Sequence, residues 1–143
     1  MIKFKSLFIV LFLVCFTYSC NEIKEKDLQN LEGYWEIKKV AKENGKEKIY
    51  KFNETVDFIE FNDQKGVRTK VKPTLDGEFF ATNDAEAFSI SKENNQWIFH
   101  YHTEMDDWDE TLLKLDKDEL KVKNKQDIIY TYQRFNGYLD GKK

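Results

Sequence analysis

The sequence predicts an all-β protein, an antiparallel up-and-down β-barrel of eight to ten short strands. Three observations predict it. From Tyr34 onward polarity repeats every two residues, with β-branched and aromatic side chains on one side of the alternation. Turn-forming clusters recur every eight to twelve residues along the same stretch. After Gly33 no segment needs a helix of more than a turn or two.

The chain opens "MIKFKS", with Lys3 and Lys5 before any acid, and continues as an apolar run from Leu7 to Phe16, "LFIVLFLVCF". A basic head and a short apolar core describe a secretory signal. A membrane-spanning helix needs about 20 apolar residues, twice what this core offers. Two cleavage patterns fit. Thr17-Tyr18-Ser19 is a weak small-x-small site for ordinary signal peptidase. Ser19-Cys20 instead resembles the relaxed lipoboxes of Bacteroidota lipoproteins, departing from the common pattern at Thr17. That resemblance implies that Cys20 is lipidated and becomes the N-terminus. Cysteine usage agrees. Cys15 leaves with the signal, so an exported chain keeps one cysteine and no internal disulfide.

Removal of residues 1–19 leaves 124 of the 143 residues and, with Lys3 and Lys5 gone, moves the formal net charge from −3 to −5. That length suits one domain with its own core. The acidic balance argues against nucleic acid as a partner. The expected partner is a membrane, held through the N-terminal lipid anchor. The expected location is the cell envelope, on the outer membrane. The division expected is a signal over 1–19, a lipidated N-terminus and charged tether over 20–30, the barrel over 31–135, and a polar tail over 136–143.

The strands follow in order. Approximate windows are 34–42, 46–52, 55–62, 66–72, 78–82, 86–92, 96–103, 107–115, 119–124 and 127–135. Val67, Thr69 and Val71 alternate with Arg68, Lys70 and Lys72. Trp97, Phe99 and Tyr101 alternate with Ile98, His100 and His102. Leu120 and Val122 alternate with lysines, and Ile128, Tyr130 and Tyr132 with Ile129, Thr131 and Gln133. The punctuation is Asn44-Gly45, "NDQKG" ending at Gly66, "KENNQ", "DKDE" and "KNKQD". A meander of hairpins favours a closed barrel, because closure removes exposed edges.

Gly33-Tyr34-Trp35 resembles the opening motif of lipocalins, in which the tryptophan plugs the closed end of the barrel. "FIEFNDQKGVRTKV", "LDGEF" and "YTYQRF" are similar to the lipocalin-like lipoproteins of Bacteroidota, and the likeness runs from Leu31 to Phe135. It implies that Gly33, Trp35 and Arg134 form one barrel-end cluster, with Arg134 packed across the tryptophan. It also implies a small hydrophobic ligand. Two departures stand out. "NGYLDGKK" is too short for a C-terminal packing helix, and the Thr-Asp loop motif of the lipocalins is not evident.

Candidate chemistry is sparse. Tyr34, Phe58, Phe79, Phe88, Trp97, Phe99, Tyr101, Trp108, Tyr130 and Tyr132 either line a ligand cavity or fill a core. Eight strands leave room for one small ligand at most. His100 and His102 share one strand face, with Glu104 continuing it, and are weak candidates for a metal site. The alternative is two polar side chains facing solvent. "EMDDWDE" lacks the order of a calcium loop and reads as a solvated turn. No nucleophile motif or phosphate-binding glycine loop is present, so no enzyme and no cofactor is expected. Three functions remain: a lipid-anchored carrier of a small hydrophobic ligand, an envelope interaction protein with a solid barrel, and a metal-dependent enzyme built on His100 and His102.

Overall fold

A computed structural model describes residues 22–42 and 44–139. The signal, Cys20 and the last four residues lie outside the described residues. Nine strands follow a 3-10 turn over Glu25–Leu31: β1 Gly33–Lys42, β2 Glu47–Ile49, β3 Val56–Asn62, β4 Lys65–Pro73, β5 Phe79–Glu93, β6 Gln96–His102, β7 Asp107–Leu115, β8 Glu119–Asn124 and β9 Ile128–Arg134. Every pairing is antiparallel. β1 pairs with β3 through its first residues and with β9 from Trp35↔Arg134 to Lys42↔Ile128. Eight strands thus close into a barrel, and β2 is an extra edge strand on the far half of β1.

Up-and-down order fixes two ends. The β3–β4, β5–β6 and β7–β8 turns share one end with the 3-10 turn, here the closed end. The connections β1–β3, β4–β5, β6–β7 and β8–β9 share the other, the mouth. Two closed-end hairpins have two central residues with left-handed backbone: Asp63 and Gln64 at φ 48° and 61°, Asn94 and Asn95 at φ 48° and 63°. That is the primed turn whose twist matches the strands it joins.

The structure corrects two sequence boundaries. The windows 78–82 and 86–92 are one strand, the 15-residue β5. The chain does not break between the two windows but only bulges there. The register against β4 shifts between Thr69 and Val71, and Thr82 Oγ1 donates to the Lys70 carbonyl at 2.8 Å. The segment expected as a tether is part of the body from Glu22 on. Lys92 Nζ lies 2.8 Å from Glu22, and Trp97 Nε1 donates to the Ile23 carbonyl at 2.9 Å. Leu28 and Leu31, on the 3-10 turn, are fully buried in the main core.

That core fills the barrel. Trp35, Ile59, Phe88, Phe99, Leu120 and Tyr132 represent the inward positions of successive strands. Gly66 is required at its position, because a Cβ there would sit 2.4 Å from the Phe88 ring. A second cluster lies on the outer face of β1, β3 and β4. Val56, Val71 and Phe135 are its buried members, with Tyr34, Phe58, Phe79 and Tyr138 packed against them. Packing therefore runs three residues past the expected domain boundary at Phe135, and the Tyr138 hydroxyl donates to the Asn53 carbonyl at 2.8 Å.

Candidate functional site

The closed end is a plug. Trp35 is 1% exposed and its Nε1 donates to the Leu31 carbonyl at 2.8 Å. The Arg134 guanidinium lies 3.8 Å from the centre of the indole. Its donors reach three carbonyls, Glu32 at 2.7 Å, Asn30 at 2.6 Å and Lys117 at 2.9 Å. One cation thus ties the chain before β1 to the β7–β8 turn and stacks on the tryptophan, a contact worth about 1 kcal/mol or more when desolvated. Gly33 has φ +120°, and a Cβ on it would stand 2.6 Å from Arg134 Nη1. The backbone conformation and the arginine both demand glycine.

The aromatic residues offered as one cavity lining divide in two. Phe88, Trp97, Phe99, Tyr101 and Tyr132 are buried inside the barrel, with Trp108 and Tyr130 half-buried against them. Tyr34, Phe58 and Phe79 are elsewhere, stacked at 4.0 and 4.5 Å on the outer face. They cannot line the interior, because they alternate with inward residues on strands whose outward face the tail and the β4–β5 ribbon cover.

The interior contains charge that sequence reasoning missed. Arg68 donates to Glu86 Oε2 through Nε at 2.9 Å and Nη2 at 2.6 Å, and its Nη1 lies 3.7 Å from Glu110 Oε2. The guanidinium stands 4.7 Å from the Tyr101 ring. Buried Asp57 bonds Lys70 Nζ at 2.7 Å. Burial pushes the Glu110 carboxyl above its ordinary value, against the pull of Arg68. Burial likewise raises the Tyr101 and Tyr132 phenols. On β4 the alternation suggested that valines face in. In fact Arg68 and Lys70 face in, and Val71 faces the second cluster.

Between Trp35, Asp57, Arg68, Phe99, Tyr101 and Tyr132 the barrel holds a void of about 10 Å³. That is room for a single water. Larger depressions, of about 270 to 390 Å³, lie on the outer surface; one runs between the chain at 22–27 and residues 113–116.

His100 and His102 point outward from β6, each with its own aspartate. His100 Nδ1 is 2.8 Å from Asp109 Oδ1, and His102 Nδ1 bonds Asp107. Among the described residues no group of three or more His, Cys, Asp or Glu is arranged to hold a metal ion. His100 Nε2 also lies 2.9 Å from Ser91 Oγ, so serine, histidine and aspartate stand in the order of a catalytic triad. Two features deny it that chemistry. The Ser91 hydroxyl has a carboxylate acceptor of its own, Glu93 at 3.0 Å, which also contacts His100 Nε2 at 3.0 Å. The three residues lie on the outward face of the paired strands β5, β6 and β7, with the His100 and Asp109 side chains each more than a third exposed, so water is not excluded from them.

A model of the lipocalin-like domain family matches residues 31–122. The chain belongs to this family. Its lipocalin-like fold also resembles solved structures at low identity. A lipocalin-like protein from Bacteroides uniformis is 11% identical over 74% of this chain and 99% of its own, with a TM-score of 0.48. An uncharacterized protein from Bacteroides eggerthii is 8% identical over 73% and 99%, with a TM-score of 0.46. Lobster apocrustacyanin A1 is 10% identical over 79% and 65%, with a TM-score of 0.43. A comparison with curated proteins finds no match. In this lipocalin-like barrel the Gly-x-Trp and the late arginine close one end, and the other end carries the acidic β6–β7 loop.

Proposed function

We propose that this lipocalin-like domain is a lipid-anchored protein of the cell envelope, held on the outer membrane through Cys20, whose barrel is solid and whose outer surface does the work. The observation that carries the solid-barrel reading is the interior void of about 10 Å³. A ligand pocket of ordinary size is about 300 Å³ or more. The anchor reading rests on the short apolar signal and on Ser19-Cys20. Cys20 precedes Glu22 by two residues, a reach of about 7 Å at full extension. Glu22 is tied to Lys92 at the closed end. An acyl group on Cys20 would therefore set the plug toward the membrane and the mouth away from it.

A second reading, carriage of a small hydrophobic ligand, has one observation in its favour besides the family. Trp108 is half-buried near the mouth and stacks on Tyr101 at 4.8 Å. Its displacement would uncover the aromatic interior. Titration with fatty acids of graded length, read by tryptophan fluorescence, separates the two. The solid barrel gives no saturable quenching. Saturable quenching at micromolar concentration establishes the carrier instead. Fractionation of cells expressing Cys20→Ser tests the anchor, and loss from the membrane fraction is expected.

A further inference from the structure

Toward the mouth the interior holds more carboxyls than cations. Asp57 on β3, Glu86 on β5 and Glu110 on β7 meet Arg68 and Lys70 on β4. The donors are already taken. Lys70 Nζ is 2.7 Å from Asp57, and Glu86 accepts both Arg68 Nε and Nη2, at 2.9 and 2.6 Å. Glu110 is left with Arg68 Nη1 at 3.7 Å, too far for a hydrogen bond, and its buried Oε2 has no partner. A carboxylate in that position costs far more than a neutral carboxyl.

The remaining elements offer Glu110 no cation. β6 and β9 turn in the phenols Tyr101, Tyr130 and Tyr132, and β8 turns in Leu120 and Val122. Asn124, paired with Glu110 on β8, directs its amide to the Tyr130 hydroxyl at 3.4 Å. Burial raises the Glu110 carboxyl, Arg68 and Trp108 oppose the rise, and Glu86 and Asp57 add to it.

The mouth end of β7 has a backbone partner on one side only. Asp107, Trp108 and Asp109 pair with β6, and pairing with β8 begins at Glu110↔Asn124. Trp108 is the next side chain toward the mouth on the strand face of Glu110. It is half-buried and stacks on Tyr101 at 4.8 Å. On the outer face of the same segment Asp107 bonds His102, and Asp109 meets His100 at 2.8 Å and Lys125 at 3.3 Å.

We propose that Glu110 and Trp108 form a proton-operated latch on the mouth. With a proton on Glu110, Trp108 lies on Tyr101 and the mouth is shut. When Glu110 gives that proton to solvent, the 107–109 end of β7 turns about Glu110, Trp108 leaves Tyr101, and water reaches the carboxylate. The core below, from Phe99 to Trp35, stays packed. The latch needs neither a ligand nor an anchor, so it stands apart from what the outer surface does.

Acrylamide quenching of tryptophan fluorescence tests the latch on the full chain as purified, from about pH 4 to 8, a range that spans the ordinary glutamate value and the region above it. Trp35 and Trp97 are 1% and 6% exposed, so quenching that responds to pH reports Trp108. The wild-type quenching constant should rise at least about threefold with pH, as a local opening exposes one indole. Glu110→Gln should keep the low-pH constant throughout, and Trp108→Phe should show no rise. Glu86→Gln removes the charge that competes for Arg68, so its transition should fall at least about one pH unit lower. Circular dichroism at each pH verifies that all four proteins are folded. A flat wild-type constant overturns the proposal. So does a rise that survives in Glu110→Gln, which would assign the opening to His100 and His102. A rise that survives in Trp108→Phe would mean that the whole barrel loosens, and overturns it too. A Glu86→Gln transition at or above the wild-type pH has the same consequence.

Discussion

The two ends of the barrel solve opposite problems. At the closed end one arginine satisfies three carbonyls and covers an indole whose own donor is bonded. Apolar surface there is buried, and Glu119 Oε1, buried without a hydrogen bond, keeps Lys121 and Lys114 at 3.0 and 3.1 Å. Toward the mouth, Glu110 Oε2 is buried with only Arg68 Nη1 near it, at 3.7 Å, and Met105 of the β6–β7 loop stands in water. The difference shows where stability resides and where surface is left for use. A dense plug holds one end, and the other is closed by a buried ion cluster beneath an exposed loop.

The largest expected effect is at the plug. Trp35→Ala should lower stability by about 3–5 kcal/mol, as loss of a buried indole does. A melting point within a degree or two of wild type would remove Trp35 from the core. Arg134→Ala should follow at about 2–3 kcal/mol, because three carbonyls lose a charged donor. Denaturant midpoints at constant slope measure both.

The mouth side should respond mainly to pH. Glu110 is held above its ordinary value by burial, so its contribution is complete below the unfolded value of 4.5 and is lost as pH rises through the raised folded one. Relative to Glu110→Gln, wild type should therefore lose stability as pH climbs from 4.5 through that interval. A parallel pH dependence in the two proteins would mean that Glu110 is solvated. Asp109, Asp116 and Glu119 are shifted the other way by their partners and lose stability at lower pH, in both proteins alike.

The smallest effect belongs to the exposed β4–β5 turn and ribbon. Leu75→Ser and Phe80→Ser should change stability by less than about 0.5 kcal/mol, since little is buried there. A loss of several kcal/mol would show that these side chains belong to the core.

The fold was legible in the sequence wherever one strand face was buried and the other wet. Trp97, Phe99 and Tyr101 alternate with His100 and His102 in sequence, and β6 buries the former and exposes the latter side. Legibility failed where both faces are covered. On β4, Val71 is buried outside the barrel and Arg68 inside it, so apolar alternation pointed to the wrong face. A charged residue can occupy a barrel interior only with partners, and Glu86 and Glu110 come from β5 and β7, far away in sequence. The helical turn before β1 was legible, because Ile23, Asp27, Leu28 and Leu31 fall on one helical face, and the structure has a 3-10 turn over Glu25–Leu31. The Gly33, Trp35 and Arg134 cluster was readable only through the resemblance to the lipocalin opening motif, since nothing local says that an arginine at the end of β9 meets a tryptophan in β1. The interior volume was not readable, since it depends on how all eight strands fill one another's space.

The central claim is that the barrel is filled by its own side chains. Native mass spectrometry of protein purified from its own envelope tests it most directly. The account predicts the mass of the chain with its covalent acyl groups and nothing more. A bound small molecule that survives desalting and leaves only on unfolding would contradict it.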